Sequence, residues 1–594
     1  MRSAFSLVAV LTLVIGLSQL SLRPHTEPVQ LVSERLVMQA DSFIMAIKVL
    51  RSAAGGPTSA SMLKRKFIAA RLAYKRLEWA AEYFVPLTTR RINGPPVPEA
   101  ETSGQVIAPY GLQVIEGLLF PGFRIDSKEK LVPLLDRLSA DAVEYRTYFV
   151  RSGLQDWQIL DAVKLEVFRV EALGLNDFDD PLTHNCFAES ATALSSLRDV
   201  TLKFTQSDRH SVQTRFQGAI NFLSKPSTFN NFDRAVFLIS HANPLTSALT
   251  GLTKQLQLKD IRYNRLLNRD AATLFEQGTF NANAYIAAPE DSMTKQKIVL
   301  GRKLFFDPLL SGTMTRSCGS CHQPEKAFTD GLVKNIAITG KKTIARNTPT
   351  LINAALQPAQ FYDLRAPSLE DQIVDVIGNR DEMHGNMTVS TQKLWKNKDY
   401  RDKFTAAFPR SVRKNIDTGE VMNALASYIR SLTALNSRFD HYMQGRLDAL
   451  NQTEIQGFNL FMGKARCGTC HFVPLFNGAL PPRYMQMDAE VIGVTKSKNA
   501  KVIDGDPGRF GIIPLEFNRH AFKVPTVRNA ARTAPYMHNG VFTTLEEVTD
   551  FYNKGGGGGQ GIKIANQTLS TERLHLTDLE ISQVVSFIKA LDSH

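Results

Sequence analysis

Cys318-Gly-Ser-Cys-His322 and Cys467-Gly-Thr-Cys-His471 are two copies of one pattern, C-x-x-C-H. The pattern is the attachment signature of a c-type haem. Two thiols about one helical turn apart reach the two vinyl groups of one porphyrin and form thioethers. The next residue, His, then supplies the proximal nitrogen to the iron. With 5 Cys and 12 His in 594 residues, one such pentapeptide arises by chance roughly once in a thousand chains of this composition, and two far less often. Two C-x-x-C pairs are also a zinc pattern, but zinc does not account for a His directly after each pair. The motifs predict two covalently bound haem c groups held by Cys318 and Cys321 and by Cys467 and Cys470, with His322 and His471 as iron ligands.

The flanks of the two motifs are themselves alike. Gly301-Arg-Lys-Leu-Phe305 precedes the first and Gly457-Phe-Asn-Leu-Phe461 the second, as expected of a duplicated cytochrome c domain with a helix leading into each motif. Thr453-Glu-Ile-Gln456 and Thr577-Asp-Leu-Glu580 read as capping boxes that start the helix before the second motif and the last helix. The last helix is expected to place Leu579, Val584, Ile588 and Leu591 along one side. Another long helix is expected from about Val421 to Phe439. Gly555 to Gly559 lacks the Gly-Lys-Ser/Thr of a phosphate loop and reads as a flexible loop.

Upstream, from about Val29 to Leu266, the pattern is helical. Leu31 to Val49, Ser61 to Phe84, Leu131 to Phe149 and Ile159 to Val170 carry apolar residues at three- and four-residue spacing, and Pro95-Pro-Val-Pro98 and Pro226 punctuate them. The stretch Pro109-Tyr-Gly-Leu-Gln-Val-Ile-Glu-Gly-Leu-Leu119 resembles the G-x-H-x-x-E segment of imelysin-like helical proteins. Gly111 and Glu116 match, but Gln113 stands where that family has His. Gln is a poor metal ligand, so the stretch reads as a packed helix with a Glu at its rim. Arg2 and the apolar run from Ala4 to about Leu20 read as an export signal or anchor. The fold class is mainly α: a leader or anchor at 1–28, a helical bundle at 29–277, a linker at 278–293, and two cytochrome c-like haem domains at 294–445 and 446–594.

The formal charge of +13 comes without a Lys/Arg-rich run or a nucleic-acid motif. It is read as solubility plus docking of a redox partner, and nucleic acid is not expected. Cys186 is left over once haem has taken the other four cysteines. It has no partner for an intramolecular disulfide and is expected to be buried and inert. Haem c is attached outside the bacterial cytoplasmic membrane, so the motifs and the leader together place the protein in the periplasm or on the outer face of that membrane.

Residues 296–594 resemble the bacterial di-haem cytochrome c peroxidase/MauG family. The matching segments are Leu300-Gly-Arg-Lys-Leu-Phe-Phe-Asp-Pro308, Arg346-Asn-Thr-Pro-Thr350, Ser368-Leu-Glu-Asp-Gln372, Glu382-Met383, Ala521-Phe-Lys-Val-Pro-Thr-Val-Arg-Asn529 and Ala534-Pro-Tyr-Met-His-Asn-Gly540. The resemblance implies that the first haem reacts with peroxide and the second passes electrons. It makes Glu382 the distal group that moves a proton and Gln372 its orienting partner. Tyr362, in Phe361-Tyr-Asp-Leu-Arg365, stands where the family places an inter-haem Trp. No His occurs between His322 and His384, where many members carry a closing ligand, so the first haem is expected to be five-coordinate and open, as in the MauG branch. Counting from His538, Tyr552 falls at the position of the second haem's sixth ligand. Met537 is the alternative, with Met485 and Met487 behind it. Asn347, Thr533 and Pro535 match the family's calcium ligands, so one calcium ion is implied.

Three readings follow from the resemblance. The first is a peroxidase reducing hydrogen peroxide with electrons from a small cytochrome c or copper protein. The second is a MauG-like oxidase acting on side chains of a partner protein. The third is a non-enzymatic di-haem electron carrier, which Gln372 and Glu382 argue against.

Overall fold

The computed structural model describes residues 27–100, 106–123, 127–205, 208–258, 264–409, 415–487 and 489–593. The expected leader lies outside the described residues up to 26. The chain is mainly α-helical. Among the described residues, paired strands are confined to two antiparallel ribbons, Glu99–Ala100 with Val106–Ile107 and Ala489–Glu490 with Phe522–Lys523. No described helix is long and apolar enough to cross a membrane.

The bundle is built on amphipathic helices. In Glu27–Gly55 the buried set Val29, Val32, Leu36, Phe43, Ile47 and Leu50 keeps helical spacing. It packs on Ala60–Phe84 and on the matching stripe Leu131, Leu135, Leu138, Ala142, Tyr145 and Phe149 of Ser127–Arg151. The helix Asp156–Ala172 runs through the centre and is buried on every side from Ile159 onward. Several of its polar residues are paired: Arg265 holds Asp161 at 2.8 Å, and Arg169 and Lys75 both hold Asp179. Burial of such charges is tolerable only with partners of this kind. Both carboxylate oxygens of Glu171, by contrast, are buried without a partner, and burial raises that carboxyl.

The duplication read from the motif flanks is a duplication in space. Gly301 of the helix Lys295–Phe306 crosses the helix Thr418–Arg430 so closely that a Cβ would lie 1.9 Å from the Ala424 carbonyl oxygen. Gly457 of Gln452–Met462 crosses Asp578–Lys589 in the same way, with 2.0 Å to the Gln583 carbonyl oxygen. Glycine is required at both crossings because nothing larger fits between the backbones. The Phe that ends each repeat then lies near the motif's own His, Phe305 at 6.5 Å from His322 and Phe461 at 6.4 Å from His471. A further repeat was not expected. Pro349-Thr-Leu-Ile-Asn353 and Pro525-Thr-Val-Arg-Asn529 superpose in role, and each ends on a left-handed Asn, φ 62° and 61°, that opens a 3-10 turn. Asn tolerates that conformation better than most residues.

The cores are less symmetrical than the repeats. One continuous apolar core runs from the bundle (Phe43, Leu77, Phe168) into the second haem domain (Phe458, Phe476, Phe587) and takes in Phe439 from the end of the 294–445 stretch, while the rest of the first haem domain has its own (Leu300, Leu304, Phe404, Leu425). The stretch 278–293 has little regular structure, as expected of a linker, yet it is fastened down. The Tyr285 hydroxyl donates to the Tyr484 carbonyl at 2.5 Å, and Asn283 Oδ1 accepts from the Met293 amide at 3.1 Å.

Several sequence expectations are corrected. The expected helix from Val421 to Phe439 ends at Arg430, because Asn353 captures Ala434 with both ends of its amide, and Ser437 caps a separate short helix, Arg438–Met443. The helix before the second motif is capped by Asn451, not Thr453, since the Asn451 side chain reaches the Glu454 amide at 3.0 Å. Leu579 is 67% exposed and leaves the buried face of the last helix to Val584, Val585, Phe587 and Ile588. The five glycines are not an open loop. Gly556–Gly559 forms one helical turn, and a Cβ on Gly557 would lie 2.3 Å from the Gly493 carbonyl oxygen. Glu116 is fully buried rather than at a rim, and it accepts the Leu182 and Thr183 amides at 3.1 and 2.8 Å.

Candidate active site

Each C-x-x-C-H motif folds as a single 3-10 turn, Cys318–Ser320 and Cys467–Thr469, and each His amide donates back to the first Cys carbonyl at 2.9 Å. All four thiols are free. Burial pushes Cys318 and Cys467 up to about 12. Among the described residues the two pairs do not converge into a metal cluster, which removes the shared zinc site.

The histidines are oriented for iron. His322 Nδ1 lies 2.9 Å from the Phe328 carbonyl oxygen. His471 Nδ1 lies 3.0 Å from that of Pro525 and 3.3 Å from that of Phe476. A carbonyl only accepts, so Nδ1 carries the proton and Nε2 keeps the lone pair that a metal needs. Burial lowers both imidazoles, His471 to about 4, which keeps them neutral. Paired thiols on a tight turn, a neutral His with a bare Nε2 and partly accessible side chains fit covalent haem at both places.

The two surroundings differ. Near the first turn, Arg316 donates to the main-chain oxygen of Glu382 at 3.4 Å and to that of Ile336 at 2.8 Å, tying the Glu382 segment to the cysteines. Burial pushes the Cys321 thiol up to about 11, with Asp330 and Glu382 adding to the rise and Arg316 opposing it. Burial also holds the Glu382 carboxyl above the ordinary range, against Arg365 and Arg316. Its Oε1 accepts from Asn379 Nδ2 at 2.7 Å. Gln372, on the helix Leu369–Gly378, has a buried Oε1 with no partner. Such an atom is costly unless something docks against it. His384 is exposed at the surface.

Near the second turn stands Tyr552, on the helix Leu545–Asn553. Burial raises its phenol, and Cys470 and Cys467 are the next causes, so the ring shares the pocket of the second cysteine pair. Met537 is half-buried at φ 70°. Its neighbour His538 stacks on Phe522 at 3.8 Å and contacts Asp504 at 3.1 Å. Met485 is 63% exposed and Met487 is buried.

Tyr362 lies in the seam between the two haem domains. Its carbonyl accepts the Lys523 amide at 2.7 Å, and Lys523 Nζ donates to Gln357 Oε1 at 2.7 Å. Burial raises the Tyr362 phenol, which Arg346 opposes. Arg346 crosses the same seam to Asp506 and also holds Asp363 on its own side. Asn347 donates its amide to the His538 carbonyl at 2.7 Å. That bond sets it beside the loop bearing Thr533 and the buried Pro535.

The cover over the second turn had no sequence signal. Asn176 Nδ2 donates to the Gly468 carbonyl at 2.7 Å across 292 residues of chain, and Phe178 meets Phe472 edge-on at 5.4 Å. The bundle therefore sits on the second attachment turn, whereas Ser320 of the first is exposed.

A family described as di-haem cytochrome c peroxidase matches residues 295–448. A cytochrome c551 peroxidase of Nitrosomonas europaea is 32% identical over 292 residues, 49% of this chain and 78% of that protein. The methylamine utilization protein MauG of Methylorubrum extorquens is 32% identical over 299 residues, 50% of this chain and 79% of that one. A cytochrome c551 peroxidase of Pseudomonas aeruginosa is 33% identical over 258 residues, 43% and 71%.

Proposed function

Because this chain belongs to the di-haem cytochrome c peroxidase and MauG family, we propose that it reduces hydrogen peroxide to water, one peroxide, two electrons and two protons giving two waters. What supports the reading is a half-buried Glu382 tied to the first attachment turn through Arg316, with its carboxyl held above the ordinary range; the buried, partnerless Gln372 Oε1 is a second polar group left for a ligand. When bound, the haems supply the electrons and the electron path. The Glu382 carboxylate takes a proton from one peroxide oxygen and returns it to the other, so that water leaves rather than hydroxide. Gln372 accepts a hydrogen bond from the peroxide and orients it. Tyr362 serves as a stepping point between the two haem domains. Electrons come from a small periplasmic cytochrome c or copper protein. A calcium ion held by Asn347, Thr533 and Pro535 braces the seam.

A second reading, a peroxide-dependent oxidase acting on a partner protein, is favoured by Tyr552 beside the second cysteine pair. A phenolate ligand there stabilises oxidised iron and lowers the potential relative to Met.

Stopped-flow mixing of the ferric protein with peroxide separates the readings. Turnover with reduced cytochrome c is the expected result. A long-lived oxidised state that ignores small donors would favour the oxidase, and no reaction at all would remove both. Tyr552→Phe is expected to change the spectrum of one haem only; an unchanged spectrum would return the ligand role to Met537.

A further inference from the structure

The function above leaves one buried cluster unused. Asp177, Asp180 and Cys186 lie in the bundle where the segment after Asp156–Ala172 turns into the helix Cys186–Thr201. One donor atom from each lies within 4.8 Å of the others. The residues are 2%, 0% and 3% exposed. We propose that Asp177, Asp180 and Cys186 form a site for a zinc-class divalent cation at the joint between the helical bundle and the second haem's attachment turn.

Unpartnered atoms carry the proposal. Asp177 and Asp180 each have one carboxylate oxygen already engaged. His184 Nδ1 meets Asp177 Oδ2, while the Asn185 amide and the Thr183 hydroxyl donate to Asp180 Oδ2 at 2.6 and 3.2 Å. The other oxygen of Asp180, Oδ1, is buried with no partner, and so is Glu116 Oε2 close by; Asp177 Oδ1 is also buried and has only the weak thiol donor of Cys186 to face. Leaving several such acceptors dry and empty is expensive.

The charges point the same way. Four carboxylates face this region, from Asp177, Asp180, Glu116 and Glu189, against two guanidiniums. Arg71 is bound to Glu189. Arg234 spends its donors on the Leu175, Phe232 and Phe229 carbonyls. Lys75 lies 3.6 Å from Glu189 and is shared, with Arg169, by Asp179 and Glu78, so carboxylates outnumber cations in this interior; a dication would offset that excess, as protons on the carboxyls would.

The donor set selects the ion. A thiolate with two carboxylates is too soft for calcium or magnesium and suits zinc. Zinc bonds of about 2.0–2.3 Å place tetrahedral donors about 3.5 Å apart, a small contraction of the observed cluster. The remaining position is left for water. The His184 side chain, bonded to Asp177, is 43% exposed. Asn176, the residue before Asp177, is the one that bonds Gly468, so an ion here would stiffen the segment that covers the second turn.

The test uses the full holoprotein. It is loaded with Zn2+, desalted, and assayed for zinc and iron by mass spectrometry. One zinc per two irons is expected, with zinc slowing alkylation of Cys186 by iodoacetamide in the wild type. Asp180→Asn and Cys186→Ala are each expected to lower zinc retention at least tenfold while keeping two irons. The proposal is overturned if the wild type retains no more zinc than the variants, or if Cys186 alkylates equally fast with and without zinc; the carboxyls then hold protons instead. Should Cys186→Ala lose its iron, the wild-type alkylation rates and Asp180→Asn decide.

Discussion

The two C-x-x-C-H regions share a scaffold and differ in what surrounds it. Both have a glycine-pinched helix crossing, a Phe near the proximal His, and a His whose Nδ1 is held by a carbonyl. The first turn leaves Ser320 exposed and has the raised carboxyl of Glu382 tied to it through Arg316. The second is faced by a tyrosine and covered by another domain. Duplication set the holding geometry, and the different chemistry lies in residues outside the repeated segments.

The sharpest way to break this comparison is Glu382→Gln. It is expected to slow peroxide cleavage about a hundredfold, roughly 2.7 kcal/mol in the barrier, in a stopped-flow trace. Glu382 is held above the ordinary glutamate value of about 4.3. Its proton-accepting form therefore disappears as pH falls through that raised value, and the wild-type rate should drop at a higher pH than for an ordinary Glu. The variant should lack that acid limb. If the limb persists, another group moves the proton.

The shared half of the comparison is tested by a matched pair. Gly301→Ala and Gly457→Ala each push a methyl group into a backbone carbonyl and should each cost about 1–3 kcal/mol in denaturant unfolding. Similar losses support equivalent crossings. A loss at one site alone would show that one crossing can relax.

The smallest effect is Asn176→Ala. Removing the bond to Gly468 should cost about 1 kcal/mol and leave the peroxide reaction rate at the first haem unchanged. A slowed rate would mean that the cover reaches the first haem as well.

Much of this was legible in the sequence because the signals are local. The C-x-x-C-H turns, the Gly-x-x-Leu-Phe helices and the Thr577 capping box each lie within a few residues, and the structure forms them there. What was not legible depends on distant partners. The Val421 helix stops where Asn353, far earlier in the chain, captures Ala434. The five glycines read as slack, yet Gly556 and Gly557 are packed against the Ile492 and Gly493 backbone and Gly555 against that of Thr571. Glu116 read as a rim residue because nothing in its own helix announces the Leu182 and Thr183 amides that bury it. Gln372 and Glu382 were found only through family resemblance, since a Gln and a Glu ten residues apart have no pattern of their own.

The common core of the bundle and the second haem domain has a practical consequence for dissecting the chain. Residues 278–293 look like the place to cut, but a clone starting there would strip Phe275 from Phe439, the Asn243 bond from the Met443 carbonyl and the helix Arg234–Phe237 from Gln452–Met462. The haem half of this protein is thus not a portable module. Its two lobes are sequence neighbours, yet one of them shares its interior with the segment farthest upstream, and genetic truncation would separate what folding has made a single body.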